Sequence, residues 1–156
     1  MAANCILMVE DNESDIVIAG CAFGAAGLQN EMLVARSAEE AMNFLKDHAS
    51  KTLRVELILL DLHLPRKSGL ELLSEIKSDP ALKDIPVIIL TGSLDPSDVN
   101  AAYSAYAAAY ITKPVKFTEF MKAVDRIDCL EVTHSPSIRI TAKTAGKRPS
   151  RAEPRR

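Results

Sequence analysis

The sequence predicts an α/β domain: a parallel sheet covered by helices on both faces. Two observations carry this. Short, continuous apolar runs of strand length alternate with longer stretches at helical spacing, five times in about 130 residues. Right-handed crossovers then make the sheet parallel and place helices on either side of it. A third points at function, since polar residues able to do chemistry fall at the C-terminal ends of the runs, where open α/β sheets bind ligands. The 156 residues allow one domain with a real core.

The elements follow in order. Cys5–Val9 is the first apolar run, ended by Glu10, Asp11 and Asn12. Ile16, Ala19, Phe23 and Ala26 then recur at helical spacing, and Gly27 reads as the stop. Met32–Ala35 is a second strand. Ser37 and Glu40 form the pattern of a capping box ahead of Ala41, Met42, Phe44 and Leu45. Leu57–Asp61 is a third strand, with four aliphatic residues running straight into a carboxylate. A loop from Leu62 leads to a helix beginning at Ser68 or Gly69, with Leu70, Leu73 and Ile76 inward, closing near Asp79-Pro80. Residues 86–91 are a fourth buried strand. Asp95 caps the next helix, with Pro96 in its first turn, and that helix carries Val99, Ala102, Tyr103 and Tyr106. Tyr110–Thr112 is a fifth strand and Lys113-Pro114 a turn. Phe117, Phe120, Met121, Val124 and Ile127 stripe a last amphipathic helix.

The composition narrows the function classes. No apolar run approaches the length of a membrane span, and the first residues lack a signal-peptide pattern. Cys5, Cys21 and Cys129 show no metal or redox spacing and read as buried, reduced thiols of a cytoplasmic protein. The net charge of −2 hides an asymmetry: Arg139–Arg156 holds seven Lys/Arg against one acid, over a body that is acidic. The expected division is a folded domain over 1–132 and a basic, disordered tail over 133–156. That tail lacks interleaved aromatics, so nucleic acid is not an expected partner.

The polar strand ends form a constellation. Glu10 and Asp11 follow the first strand, Asp61 ends the third, Thr91 the fourth, and Lys113 follows the fifth. If those strands are neighbours, three carboxylates, a hydroxyl and an ammonium converge. Two carboxylates about 4 Å apart repel by roughly 4 kcal/mol at an effective dielectric near 20. A divalent cation relieves that repulsion, and all-oxygen ligation suits Mg²⁺. Such a site beside a carboxylate nucleophile suits phosphoryl transfer.

Glu10-Asp11, LeuLeuAspLeuHisLeuPro, ValIleIleLeuThrGly and TyrIleThrLysPro, in this order and spacing, closely resemble the receiver domain of two-component response regulators. The resemblance covers roughly residues 5–130 and implies a flavodoxin-like (βα)5 doubly wound sheet in the order 2-1-3-4-5. It implies Asp61 as phosphoacceptor, with Mg²⁺ held by Glu10, Asp11, Asp61 and the backbone carbonyl of His63. Thr91, Gly92 and Lys113 would hold the phosphoryl group, Thr91 and Tyr110 would be the switch pair, and Lys113-Pro114 would be a cis peptide. The partner implied is a sensor histidine kinase. The domain would not be an enzyme in its own right, though it assists its own phosphorylation and dephosphorylation. LeuProArgLys after Asp61, the loop IleLysSerAspProAlaLeuLysAspIlePro and the AlaTyr-rich fourth helix are similar to stand-alone regulators paired with phytochrome-type histidine kinases. That subfamily dimerises through its fourth helix, fifth strand and fifth helix. His63 stands where the wider family often has Asn, and the Trp frequent in the subfamily's last helix is absent.

Two other classes compete. Phosphatases that use an aspartyl-phosphate carry a second acid two positions after the nucleophile, where this chain has His63. A receiver-shaped module that is never phosphorylated would not need Glu10, Asp11, Asp61, Thr91 and Lys113 together. Taken singly, each of these residues has a plainer reading as a solvated acid, a strand-end hydroxyl or a surface lysine. His48 and His134 suggest no role.

Overall fold

The computed structural model describes residues 3–25 and 30–125. The expectations for Ala26, Gly27, Ile127, Cys129, His134 and the tail 133–156 lie outside the described residues. The elements run β1 (Ala3–Val9), α1 (Glu13–Ala25), β2 (Glu31–Ala35), α2 (Ala38–Ala49), β3 (Leu53–Leu60), α3 (Gly69–Ser78), β4 (Val87–Thr91), α4 (Pro96–Ser104), β5 (Ala109–Thr112) and α5 (Phe117–Asp125). All strand pairs are parallel, in the order β2-β1-β3-β4-β5. This is the doubly wound order expected.

Strand alternation sorts the core into two layers. Leu7, Val9, Ile58, Leu60, Val87 and Ile89 face one side, under Leu45 of α2 and Leu72, Leu73 and Ile76 of α3. Ile6, Met8, Leu57, Leu59, Ile88 and Leu90 face the other, under Ala19 and Phe23 of α1 and Phe120 and Val124 of α5. The Phe23 and Phe120 rings close that second layer, with centroids 4.5 Å apart. Residues 55–60 of β3 and all of β4 are buried, as central strands covered on both faces must be. Each fully buried Leu or Ile contributes about 2 kcal/mol, so the aliphatic sheet holds its strand ends firmly.

The structure corrects four local expectations. β3 starts at Leu53, four residues early, because pairing with β1 carries the strand through polar Arg54 and Glu56. The register shifts there, and Glu56 falls between the paired residues Val55 and Leu57. Ser37 accepts the Glu40 N–H at 3.1 Å, but the Glu40 carboxylate takes the Arg36 N–H rather than that of Ser37. The reciprocal capping box sits at Ser68 and Glu71 instead. Tyr106 does not share a helical face with Tyr103: α4 ends at Ser104 and Tyr106 has φ 70°. Cys21 is exposed, unlike Cys5. From Ile16 onward α1 is apolar all round, and its sheet-facing stripe is Ala19 and Phe23, which leaves Cys21 on the outer side. Burial, with Glu31 and Glu56 nearby, pushes the Cys5 thiol up to about 11, so it stays protonated and inert.

His48 has a structural role the sequence did not suggest. Its Nδ1 accepts the Val55 N–H at 3.0 Å, tying the end of α2 to the start of β3. Burial, aided by Lys51 and Arg54, holds its imidazole below the ordinary value of 6.5. A depressed histidine contributes stability that is complete above the unfolded-state value and is lost as pH falls through the folded one. Urea midpoints should therefore decline as pH drops below about 6.5, and His48→Gln should flatten that part of the profile. An unchanged slope in the variant would assign the decline to other groups.

Candidate functional site

Register brings the predicted residues to one edge. Val9 pairs with Leu60, so Glu10 and Asp61 are the next residues out on neighbouring strands. The Asp61 N–H donates to Val9 O at 3.0 Å and the Glu10 N–H to Ala35 O at 2.9 Å, which continues the ladder to the strand tips. Thr91 pairs with Thr112, and the Lys113 N–H reaches Thr91 O at 2.8 Å. Four strands thus deliver their terminal residues to one edge of the sheet.

The carboxylates meet as the spacing demanded. Oxygens of Glu10, Asp11 and Asp61 lie within 4.8 Å of one another, with Glu10 and Asp61 buried and Asp11 exposed. At that separation each pair repels by about 3 kcal/mol at an effective dielectric near 20. Lys113 answers part of this: its Nζ stands 2.5 Å from Glu10, 2.8 Å from Asp15 and 3.2 Å from Asp61. Burial pushes the Glu10 carboxyl above the usual carboxylate value; Lys113 and the Asn12 amide oppose it, and the Asp61 charge adds to the rise. Burial alone would lower Lys113, yet the bonds to Asp15 and Glu10 and the Asp61 charge outweigh it and hold the ammonium above the usual lysine range. The site is short of positive charge.

Three hard oxygen donors around such a deficit fit a divalent cation of the Mg²⁺ type. Asp61 also accepts the His63 N–H at 3.2 Å, while the His63 side chain is exposed. Thr91 is fully buried, and its Oγ1 has no hydrogen-bond partner among the described residues. A buried hydroxyl left unpaired costs about 1–3 kcal/mol, which suits a group awaiting an acceptor. A Cβ added at Gly92 would meet nothing within 4 Å, so the space beside Thr91 is open. Tyr110 is half-buried against the core, and its hydroxyl donates to Ser93 O at 3.0 Å, tying β5 to the loop after Thr91. The Ser93 hydroxyl in turn donates to Asp98 on α4 at 2.6 Å. The Lys113-Pro114 peptide is cis.

Asp15 and Gly69 belong to this edge and escaped the sequence reading. Asp15 sits on α1, one turn after Asp11, and spacing alone did not distinguish it from Glu13, an ordinary first-turn acid. Glu13 instead pairs with Arg36 at 2.9 Å. Gly69 lies against Asp61: a Cβ there would stand 2.2 Å from Asp61 O and 2.6 Å from Leu62 Cα. A groove of about 530 Å³ at the opposite, N-terminal ends of the strands is lined by His48, Arg54, Glu56 and Pro86 among others, and holds none of the predicted site residues.

Known proteins are similar to this chain in sequence and fold. The model of the family "Response regulator receiver domain" matches residues 6–125. Response regulator Rcp1 of Synechocystis sp. (strain ATCC 27184 / PCC 6803 / Kazusa) is 38% identical over 125 residues, which is 79% of this chain and 85% of Rcp1. A crystal structure of the Mn²⁺-bound form of Rcp1 matches with a TM-score of 0.66 at 38% identity, covering 84% of this chain and 98% of that one. The phosphorylated cyanobacterial phytochrome response regulator RcpA matches at 0.66 and 37% identity, covering 79% and 89%. The bacteriophytochrome response regulator AtBRR matches at 0.74 and 34% identity, covering 85% and 97%. A receiver match over residues 6–125, with a relative 38% identical over most of both chains, leads to one conclusion: the chain belongs to the response regulator receiver domain family.

Proposed function

We propose that Asp61 accepts a phosphoryl group from a sensor histidine kinase and that the domain signals through the resulting change in its protein-binding face. The observation that carries this reading is Asp61 itself. It is buried at the rim of the sheet, paired to Lys113, with the Glu10 and Asp11 carboxylates alongside.

In the transfer, an Asp61 carboxylate oxygen forms a bond to phosphorus as the phosphorus–nitrogen bond of the donor imidazole breaks. The electron pair leaves on that nitrogen. Mg²⁺, held by Glu10, Asp11, Asp61 and the His63 carbonyl, would supply charge to offset the phosphoryl oxygens. The chain's own residues do the rest. Lys113 turns its ammonium to a phosphoryl oxygen, Thr91 donates its unpaired hydroxyl to another, and Gly92 leaves the room. Drawing Thr91 inward pulls the Gly92–Leu94 loop, and Tyr110, tethered to Ser93, moves with it.

The face formed by α4, β5 and α5 is the reader of that change and the seat of a homodimer. Leu94, Tyr103 and Tyr106 are exposed along its α4 side. A groove of about 280 Å³ runs over Tyr110, Thr112, Glu119 and Lys122. The likeness to Rcp1, RcpA and AtBRR supports a phytochrome-type kinase as the partner. Such a partner puts the protein in the cytoplasm, with the domain over 1–132 and a basic tail over 133–156. Among the described residues no helix is long and apolar enough to cross a membrane. Sedimentation with and without a beryllium fluoride phosphoryl mimic should show dimer strengthened by the mimic. Monomer in both would remove the dimer from this reading.

The test of the central reading is intact mass after incubation with a small-molecule phosphodonor. A gain of one phosphoryl group that requires Mg²⁺ is the expected result. No adduct, together with no binding of the mimic, would leave a module that works without phosphorylation.

A further inference from the structure

We infer that Asp15 is a positioning residue for Lys113: it draws the ammonium aside from the carboxylates that a divalent cation and the phosphoryl group require. The inference rests on the reading of Asp61 as phosphoacceptor. The Lys113 ammonium is held by three elements: it pairs with Glu10 after β1 and donates to Asp15 on α1 and to Asp61 after β3. The longest contact is to Asp61. The Glu10 and Asp61 side chains are 1% and 6% exposed, at the floor of the site, whereas that of Asp15 is 29% exposed, at its mouth. Asp15 therefore pulls the cation outward. Its carboxylate is not among the three that lie within 4.8 Å of one another, so it works on the lysine and not in the donor set.

Local structure aims it. The Asn12 side chain accepts the Asp15 N–H at 3.0 Å, an N-cap contact that fixes Asp15 in the first turn of α1. From there its carboxylate reaches across the edge to the residue after β5. A metal entering among Glu10, Asp11 and Asp61 competes with the ammonium for Glu10 and Asp61 and is repelled by it. With Asp15 present, Lys113 can yield those oxygens while staying beside Asp61, ready for the phosphoryl group. Without the Asp15 charge, the remaining partners of the ammonium are the two oxygens the metal needs, and it settles there.

Calorimetric titration with Mg²⁺, on protein whose folding is checked by thermal unfolding, tests this. Asp15→Asn should weaken Mg²⁺ affinity about tenfold, the scale seen for residues just outside a metal's ligand set. Asp15→Glu should restore most of it. Glu13→Gln removes the same charge from the same helical turn, but from Arg36 rather than Lys113, and should change affinity less than about twofold. The decisive arm repeats Asp15→Asn in Lys113→Met, where its effect should vanish. Equal affinity in Asp15→Asn and wild type, or an equal loss with and without Lys113, would overturn the inference. Wild type that fails to bind Mg²⁺ overturns it as well. The phosphodonor experiment on wild type is separate: wild type that couples Asp15 to Lys113 yet takes no phosphoryl group would sink the phosphoacceptor reading alone.

Discussion

Asp61→Asn should abolish phosphoryl uptake and raise the stability of the metal-free protein by about 1 kcal/mol, within the range of gains found when a strained functional site is relaxed. Both effects come from one charge. On the proposed reading the carboxylate is the nucleophile, and an amide of the same shape offers no comparable oxygen. Yet in the absence of metal that carboxylate is one of three crowded within 4.8 Å, served by an ammonium that also has Glu10 and Asp15 to satisfy. Removing it relieves two repulsions of a few kcal/mol each at an effective dielectric near 20, less the attraction to Lys113. Lys113 keeps its two shorter contacts, and the His63 N–H keeps an oxygen to donate to. Thermal melts in chelator should move up by about 3–6 °C for a domain of this size. Saturating Mg²⁺ should reverse the order, because wild type then holds the better cation site. An adduct on the variant would mean another acceptor. A lower melt in chelator would mean that Asp61 holds the fold together, contrary to the charge argument.

The strand ends were legible because chemistry and periodicity coincide there. Leu57–Leu60 had to be buried on both faces, and a buried parallel strand leaves its next residue, Asp61, at the ligand edge. The same logic placed Glu10, Thr91 and Lys113. What spacing could not show was side-chain contact between distant elements. Asp15 and Glu13 are both first-turn acids of α1, and only the folded geometry sends one to Lys113 and the other to Arg36. The two Ser-x-x-Glu patterns at 37–40 and 68–71 read alike, yet Glu40 closes on Arg36 while Glu71 closes on Ser68. His48 looked idle because its partner, the Val55 N–H, belongs to a stretch whose polar Arg54 and Glu56 hid the start of β3. An all-apolar helix gives no sign of its outer face, and so Cys21 was placed on the wrong side.

Gly69→Ala should cost about 3 kcal/mol, the upper part of the range for overpacking, and should slow phosphorylation of the protein that still folds. The reason is space, since the added Cβ would stand 2.2 Å from Asp61 O, 2.6 Å from Leu62 Cα and 3.0 Å from Asp61 C. These are backbone atoms, so no rotamer change can yield the room. The Gly69 N–H also donates to Leu62 O at 2.9 Å, which pins the start of α3 to the same segment. Either α3 backs away, breaking the fit of Leu72, Leu73 and Ile76 into the core, or the Asp61–Leu62 backbone shifts. The second course moves the Asp61 carboxylate relative to Lys113 and the other acids, and on the proposed reading a displacement near 1 Å can cost about a hundredfold in rate. Gly24→Ala is the control. It lies on α1, a Cβ there would meet nothing within 4 Å, and the same substitution should stabilise by about 0.5–1 kcal/mol. Urea unfolding of both variants, beside the rate of phosphodonor labelling, checks the pair. Opposite signs at the two glycines would establish Gly69 as the spacer that lets α3 close on the site. A mild loss at Gly69 with an unchanged labelling rate would show that α3 accommodates the methyl without moving Asp61.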